Sequence, residues 1–335
     1  MKFDVGYQLY PDYTYINEII KRKENISGVY FSWGDFPNGR NNQLKRNDMS
    51  QWEAQAKQLK DLEILTKEKI SLNLLFNATC YGKESQSRAL FQKIGDVTDF
   101  CLNNYSLKTI TTTSPLIAKF IKNNFKYIHV RASVNMGIGS IEGMQYVSEY
   151  FDSFYLKREL NRDFKKIKEL KRWCDANGKK LYGLANSGCL NNCSAHAFHD
   201  NLVSHESEIS KMDNGYEFLG ICHDYLKKDE NIYKYLEITG FIRPEDAYLY
   251  EELFDSLKLA TRVNTNPVRV LKSYIDYKSH RGNVMELLEP NHSAIIKPYI
   301  IENSFIESET ENEKLIYKNI EKALVKLEED IYVNQ

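Results

Sequence analysis

The chain has no net charge to speak of: 45 basic and 46 acidic side chains leave −1 over 335 residues. A global attraction to nucleic acid or to an anionic membrane surface is therefore not expected. A local basic patch, and with it nucleic acid as a partner, stays compatible with these counts. No apolar run approaches the ~20 residues that a bilayer-spanning helix needs. The opening MKFDVGYQLY lacks the basic segment and apolar core of a secretory signal. These absences lead to the expectation of a soluble, cytoplasmic protein. Internal repeats and low-complexity linkers are missing too, so one domain is the default. No HExxH motif and no Ser-His-Asp order is present, which weighs against a hydrolase.

What is present is alternation. Short apolar runs predict strands at Asp4–Leu9, Gly28–Trp33, Ser71–Phe76, Lys108–Thr112, Tyr127–Ala132, Ser153–Leu156, Lys180–Ala185 and Ser256–Thr261. Helical spacing predicts Ser50–Glu68, Gln86–Asn104, Pro115–Asn123, Ile141–Tyr150 and Asp163–Asn177 between them. Asp163 is placed to cap the last of these, and Asn177-Gly178 to end it in a left-handed turn. The order predicts an α/β protein with a (β/α)8 TIM-like barrel; a doubly wound open sheet is the competing arrangement. The barrel is favoured because the chemically capable residues follow the strands, at Asn77–Cys80, Arg131–Asn135, Asn161–Asp163, Asn186–His199 and Arg262–Asn264. The expected layout is a barrel over 1–290 with a long insert at about 186–240 after the seventh strand. Residues 291–335 are expected as a helical extension on the barrel, with Glu309–Ile331 as an amphipathic helix.

Six cysteines in a cytoplasmic chain point to metal, catalysis or burial rather than disulfides. Cys189 and Cys193 lie in GLANSGCLNNCSAHAFHDN, a Gly- and Asn-rich loop, where a packing cysteine is out of place. Closely spaced thiolates suit a soft metal centre. Cys222 in FLGICHDYL follows in the same insert as a third ligand. Cys80, at the end of the third strand, is a candidate fourth ligand, although strands three and seven lie on opposite sides of a barrel. Cys101 and Cys174 sit on apolar helical faces and read as core. Structural zinc is the alternative to an iron–sulfur cluster, with His196, His199 or His223 completing the set. A radical S-adenosylmethionine motif, CxxxCxxC, is not formed, because position 196 is His.

The NSGCLNNC loop with His199 after it resembles the NEGCxxxCPxRxxH passage of the U32 peptidase-like proteins. FNATC at Phe76–Cys80, Asn161-Arg162-Asp163, FIRPED at Phe241–Asp246 and KLATR at Lys258–Arg262 resemble that family's LNATC, NRD, IRPED and KIAGR in the same order. The resemblance covers roughly 1–290. It implies a TIM-like barrel that holds a 4Fe-4S cluster through four cysteines. Some members are named as peptidases. Others are oxygen-independent hydroxylases acting on ubiquinone precursors or RNA. This chain departs from the pattern at Ser187, Ser194 and His196, and its PNGR, followed by NNQ, thins a Gly-rich GGGR segment.

Asn186, His199 and Asp163 are the candidate catalytic or ligand-orienting residues, with a plain helix cap as the bland account of Asp163. Arg131, Arg162, Lys258 and Arg262 end strands or begin loops, and are expected to bind a carboxylate or phosphate of a substrate at the barrel mouth. The leading expectation is an iron–sulfur enzyme catalysing a redox or hydroxylation step on a small organic, peptide or RNA substrate. It would need an electron donor. A peptidase and a metal-bearing partner subunit that binds another protein are the alternatives.

Overall fold

Strands buried on both faces need a parallel neighbour on each side and helices outside. The computed structural model, which describes residues 1–34, 36–40, 49–213 and 215–327, meets that need by closure. Strands β1 (Phe3–Gly6), β2 (Ile26–Phe31), β3 (Leu72–Phe76), β4 (Leu107–Thr112), β5 (His129–Ala132), β6 (Ser153–Tyr155), β7 (Lys180–Leu184) and β8 (Ser256–Leu259) form one closed parallel barrel. Closure comes from β8 pairing with β1, in the register Asp4↔Lys258. Each strand overlaps a window predicted from the apolar runs, with β1, β2 and β4 starting one or two residues earlier, and the open-sheet alternative is set aside.

The outer layer holds α1 (Thr14–Lys21), α2 (Gln51–Lys67), α3 (Arg88–Asn104), α4 (Pro115–Asn124), α5 (Ile141–Gln145) and α6 (Phe164–Ala176). Their starts are written in the sequence. Ser50, Ser87, Ser114, Ser140 and Asp163 each accept a hydrogen bond from the backbone N–H three residues on. Gly178, with φ of 63°, follows α6 as anticipated. Helix α5 is shorter than the spacing suggests. Only Met144 in it is buried, and Tyr146 beyond it is exposed, so little apolar surface rewards another turn. Cys101 and Cys174 are buried in the core between strands and helices.

Between β7 and β8 the chain makes α7 (His196–Ser204), α8 (Glu206–Ile209), α9 (Ile221–Leu226) and α10 (Asp229–Ile232). The segment after Pro290 corrects the expectation of a C-terminal helix. Its strands are β9 (Tyr299–Ile301), β10 (Glu307–Glu311), β11 (Lys314–Lys318) and β12 (Leu324–Lys326). Asn312 and Glu313, at φ of 48° and 59°, form a two-residue hairpin turn between β10 and β11. In β11, buried Leu315 and Tyr317 alternate with exposed Lys314 and Lys318, a period of two that a helix cannot use. Leu315 and Tyr317 join the barrel's apolar cluster. Residues 328–331 of the expected helix lie outside the described residues. No helix among the described residues is long and apolar enough to cross a membrane.

Candidate metal centre and barrel mouth

The cysteine loop leaves β7 and is clasped from two sides. Asn191 N–H donates to Ile238 O at 2.6 Å, at the end of the insert. Ser187 bridges to Glu289, and Gly188 N–H donates to Glu289 O at 3.1 Å. Gly188 must be glycine, because a Cβ there would lie 2.1 Å from the Pro290 carbonyl oxygen. Asn192 takes φ of 54°, a conformation asparagine tolerates, and turns the chain between Cys189 and Cys193.

This turn sets the thiols of Cys189 and Cys193 near Cys222 of α9. Burial, and then the proximity of Cys189 and Cys193, pushes the Cys222 thiol above its ordinary range. His199 belongs to the same neighbourhood: its Cε1 would lie 3.6 Å, and Cys222 Sγ 3.2 Å, from a Cβ on Gly220. Burial lowers the His199 pKa, and Asp200 only partly opposes this. The sequence reading missed His292. One ring nitrogen of His292, one of His223 and the Sγ of Cys222 all lie within 4.8 Å of one another. His292 is buried, its Nε2 sits 3.2 Å from the Gly188 carbonyl, and its Nδ1 has no hydrogen-bond partner. Burial holds its pKa down at about 4, so the ring is neutral at pH 7 and keeps a lone pair. Thiols with buried imidazole nitrogen are a donor set for a soft or borderline metal, and so fit an iron–sulfur cluster or zinc.

Beside this group, the barrel mouth is basic. Arg40 Nε pairs with Glu289 Oε1 at 3.1 Å, and Glu289 Oε2 also accepts from Val263 N–H. Burial opposes the charge on Arg40, but Glu289, Cys189 and Asp200 outweigh it and raise its pKa. Arg262 donates to Asn38 Oδ1 at 3.2 Å and is depressed by burial. The Lys258 amine lies over the Tyr30 ring, 4.2 Å from its centre, and makes no hydrogen bond among the described residues. Burial, then Arg262 and Arg40, lowers the Lys258 pKa to about 7, with Glu289 and Asp4 opposing. Glu289 was also missed, since it lies in no recognisable motif, and Arg40, although part of the PNGR segment, was given no role. The NNQ that follows Arg40 lies outside the described residues.

Other candidates are placed elsewhere by the structure. Asn186 is not a free polar group: its Nδ2 donates to Ala260 O and Leu287 O, and its Oδ1 accepts from Ala260 N–H at 2.6 Å. It ties β7 to β8 instead of facing substrate. Arg131 is buried in the lumen, where Asp4 Oδ2 accepts from Arg131, Tyr155 and Ser256 at 2.8–3.1 Å. It lines a cavity of about 240 Å³ with residues that begin the strands, such as Ser71 and Lys180, at the end opposite the metal donors. Arg162 donates to Glu237 O and Thr239 O, so it holds the insert. Asp163 caps α6 through Lys166 N–H at 2.9 Å. Cys80 is engaged by His205 and by Gly82 N–H, which lower its pKa. His205 follows the C-terminus of nine-residue α7, whereas Cys193 precedes its N-terminus. Roughly 13 Å of helix separates the two ends, and Cys80 is engaged at the end away from Cys193.

No protein-family model matches the chain. An uncharacterized protease of Methanocaldococcus jannaschii is 27% identical over 237 residues, covering 69% of this chain and 67% of that protein. The solved structure of the U32 peptidase Mk0906 matches with a TM-score of 0.55 at 12% identity, over 77% of this chain and 91% of that one. The latter likeness is one of fold.

Proposed function

We propose that this chain, U32-peptidase-like in motif order and in fold, is an iron–sulfur enzyme that modifies an anionic organic substrate at the mouth of its barrel. The observation that carries the reading is Cys222, which has Cys189 and Cys193 as neighbours on one hand and the buried imidazole of His292 within 4.8 Å on the other. When bound, a cluster supplies single-electron transfer or a Lewis-acidic iron. The protein's own groups do the rest. Cys189, Cys193 and Cys222 hold the centre. Lys258, Arg262 and Arg40 gather at the mouth around Glu289, and donors of this kind suit a carboxylate or phosphate. His199, neutral and beside the thiols, is placed to accept or return a proton.

Anaerobic purification with iron and sulfide quantification tests the reading. A brown protein with visible absorption, lost in Cys189→Ala with Cys193→Ala, is the expected result. A folded, iron-free protein after anaerobic reconstitution sinks it. A zinc-dependent peptidase is the second reading. It is favoured by the protease name of the Methanocaldococcus relative and by the spacing of Cys222, His223 and His292, which suits one ion. Peptide cleavage that survives iron chelation would support it.

A further inference from the structure

We infer that His292 is a ligand of the metal centre, binding through Nδ1, in the position the sequence assigns to Cys80. The inference rests on the cluster reading above and adds a residue about a hundred positions beyond the cysteine motif. His292 is 1% exposed, so water does not readily meet its polar atoms. Its Nε2 faces the Gly188 carbonyl at 3.2 Å, and a carbonyl only accepts. The proton is therefore on Nε2, and the lone pair is on Nδ1. That lone pair has no partner among the described residues. Buried acceptors are ordinarily satisfied, and an orphan of this kind calls for a ligand.

The position of the ring supports a ligand role. A ring nitrogen of His292 lies within 4.8 Å of the Cys222 Sγ. The ring is held edge-on by Tyr235, with centroids 5.9 Å apart, and the Tyr235 hydroxyl donates to the same Gly188 carbonyl at 3.0 Å. Gly188 directly precedes Cys189, so one peptide group positions a thiol and orients the imidazole. A backbone carbonyl that fixes the far nitrogen is the usual support of a metal-binding histidine. His223 is a weaker candidate, because it is half-exposed on the short helix α9 and water can satisfy it. A neutral histidine in place of a thiolate removes one negative charge from the centre and raises its reduction potential.

Three preparations test this, each made anaerobically with 15N-histidine: wild type, His292→Cys, and His199→Ala with His223→Ala. Iron and sulfide are counted, and nitrogen hyperfine coupling is read by electron paramagnetic resonance. The expected result is a nitrogen coupling in wild type that persists in His199→Ala with His223→Ala. In His292→Cys the coupling is absent, the iron is retained and the potential is lower. If His292→Cys does not fold, His292→Asn takes its place as the variant in which the coupling must be lost. Iron and sulfide without nitrogen coupling overturn the His292 ligand and leave the cluster reading standing. Coupling lost in the double variant, or retained in His292→Cys, also overturns it. A wild-type chain with neither iron nor sulfide overturns both.

Discussion

Two polar motifs follow neighbouring strands of this barrel and do different work. Asn161-Arg162-Asp163 comes after β6, and the NSGCLNNC loop comes after β7. In the first, the donors turn to backbone. Asn161 Nδ2 serves Leu184 O and Gly240 O at 2.7 Å each, Arg162 holds the insert, and Asp163 caps α6. In the second, the thiols have no structural partner of that kind, and His292 beside them keeps an orphaned nitrogen. Polar residues at strand ends are therefore not a functional signal by themselves. What separates the two regions is where their side chains are spent: Asn161 Nδ2, Arg162 and Asp163 all meet backbone groups, although Asn161 Oδ1 is itself without a partner among the described residues, whereas the loop's thiols meet none.

The largest effect should come from the second region. Replacing both Cys189 and Cys193 by alanine is expected to abolish iron binding while far-ultraviolet circular dichroism still reports a folded barrel. Iron retained at the wild-type level would show that the loop is architecture too. The first region should behave in the opposite way. Asn161→Ala strips two buried carbonyls of their donor and should cost roughly 2–5 kcal/mol in denaturant unfolding. Asp163→Ala should cost about 1 kcal/mol. Neither should change iron per folded chain, and a loss of iron in Asp163→Ala would erase the distinction.

Gly188→Ala sits on the border between the two behaviours. Its Cβ would collide with the Pro290 carbonyl, so the expected cost is about 1–3 kcal/mol. Moving the Gly188 peptide should also release His292 from the Gly188 carbonyl, so iron is expected to fall with stability. Stability lost without iron would uncouple the two.

A gentler probe is pH. Lys258, faced by Arg262, Arg40, Glu289, Asp4, Tyr30 and Tyr155, titrates at about 7. Its protonated form attracts an anion and its neutral form does not. Affinity for inorganic phosphate should thus be higher below that pH and weaken as pH rises through it. Lys258→Arg should flatten the profile, and an unchanged profile in that variant would remove Lys258 from the mouth's anion site. Smallest of all, Cys80→Ser should leave iron and sulfide content unaltered, because Cys80 is engaged by His205 at the far end of α7. A cluster lost in that variant would restore it as a ligand.

The barrel was legible because each strand is a short apolar run and the starts of α2 to α6 carry Ser or Asp where an N–H needs an acceptor. The cysteine loop was legible because thiols are out of place among Gly and Asn. Three things were not. The β10–β11 hairpin turns at Asn312-Glu313 without glycine, and its lysines, Leu315 and Ile316 also fit a helical stripe. Asn186 looks like a catalytic group until the 2.6 Å contact from Ala260 N–H reveals a clasp. His292, Glu289 and Arg40 reach the site from distant parts of the chain, through contacts that no local spacing records.

The central claim is that the rim thiols hold an iron–sulfur cluster. Iron and acid-labile sulfide per chain, measured on the anaerobically purified wild-type protein, test it most directly. The account predicts about four of each. A folded chain with neither, before and after reconstitution, would contradict it.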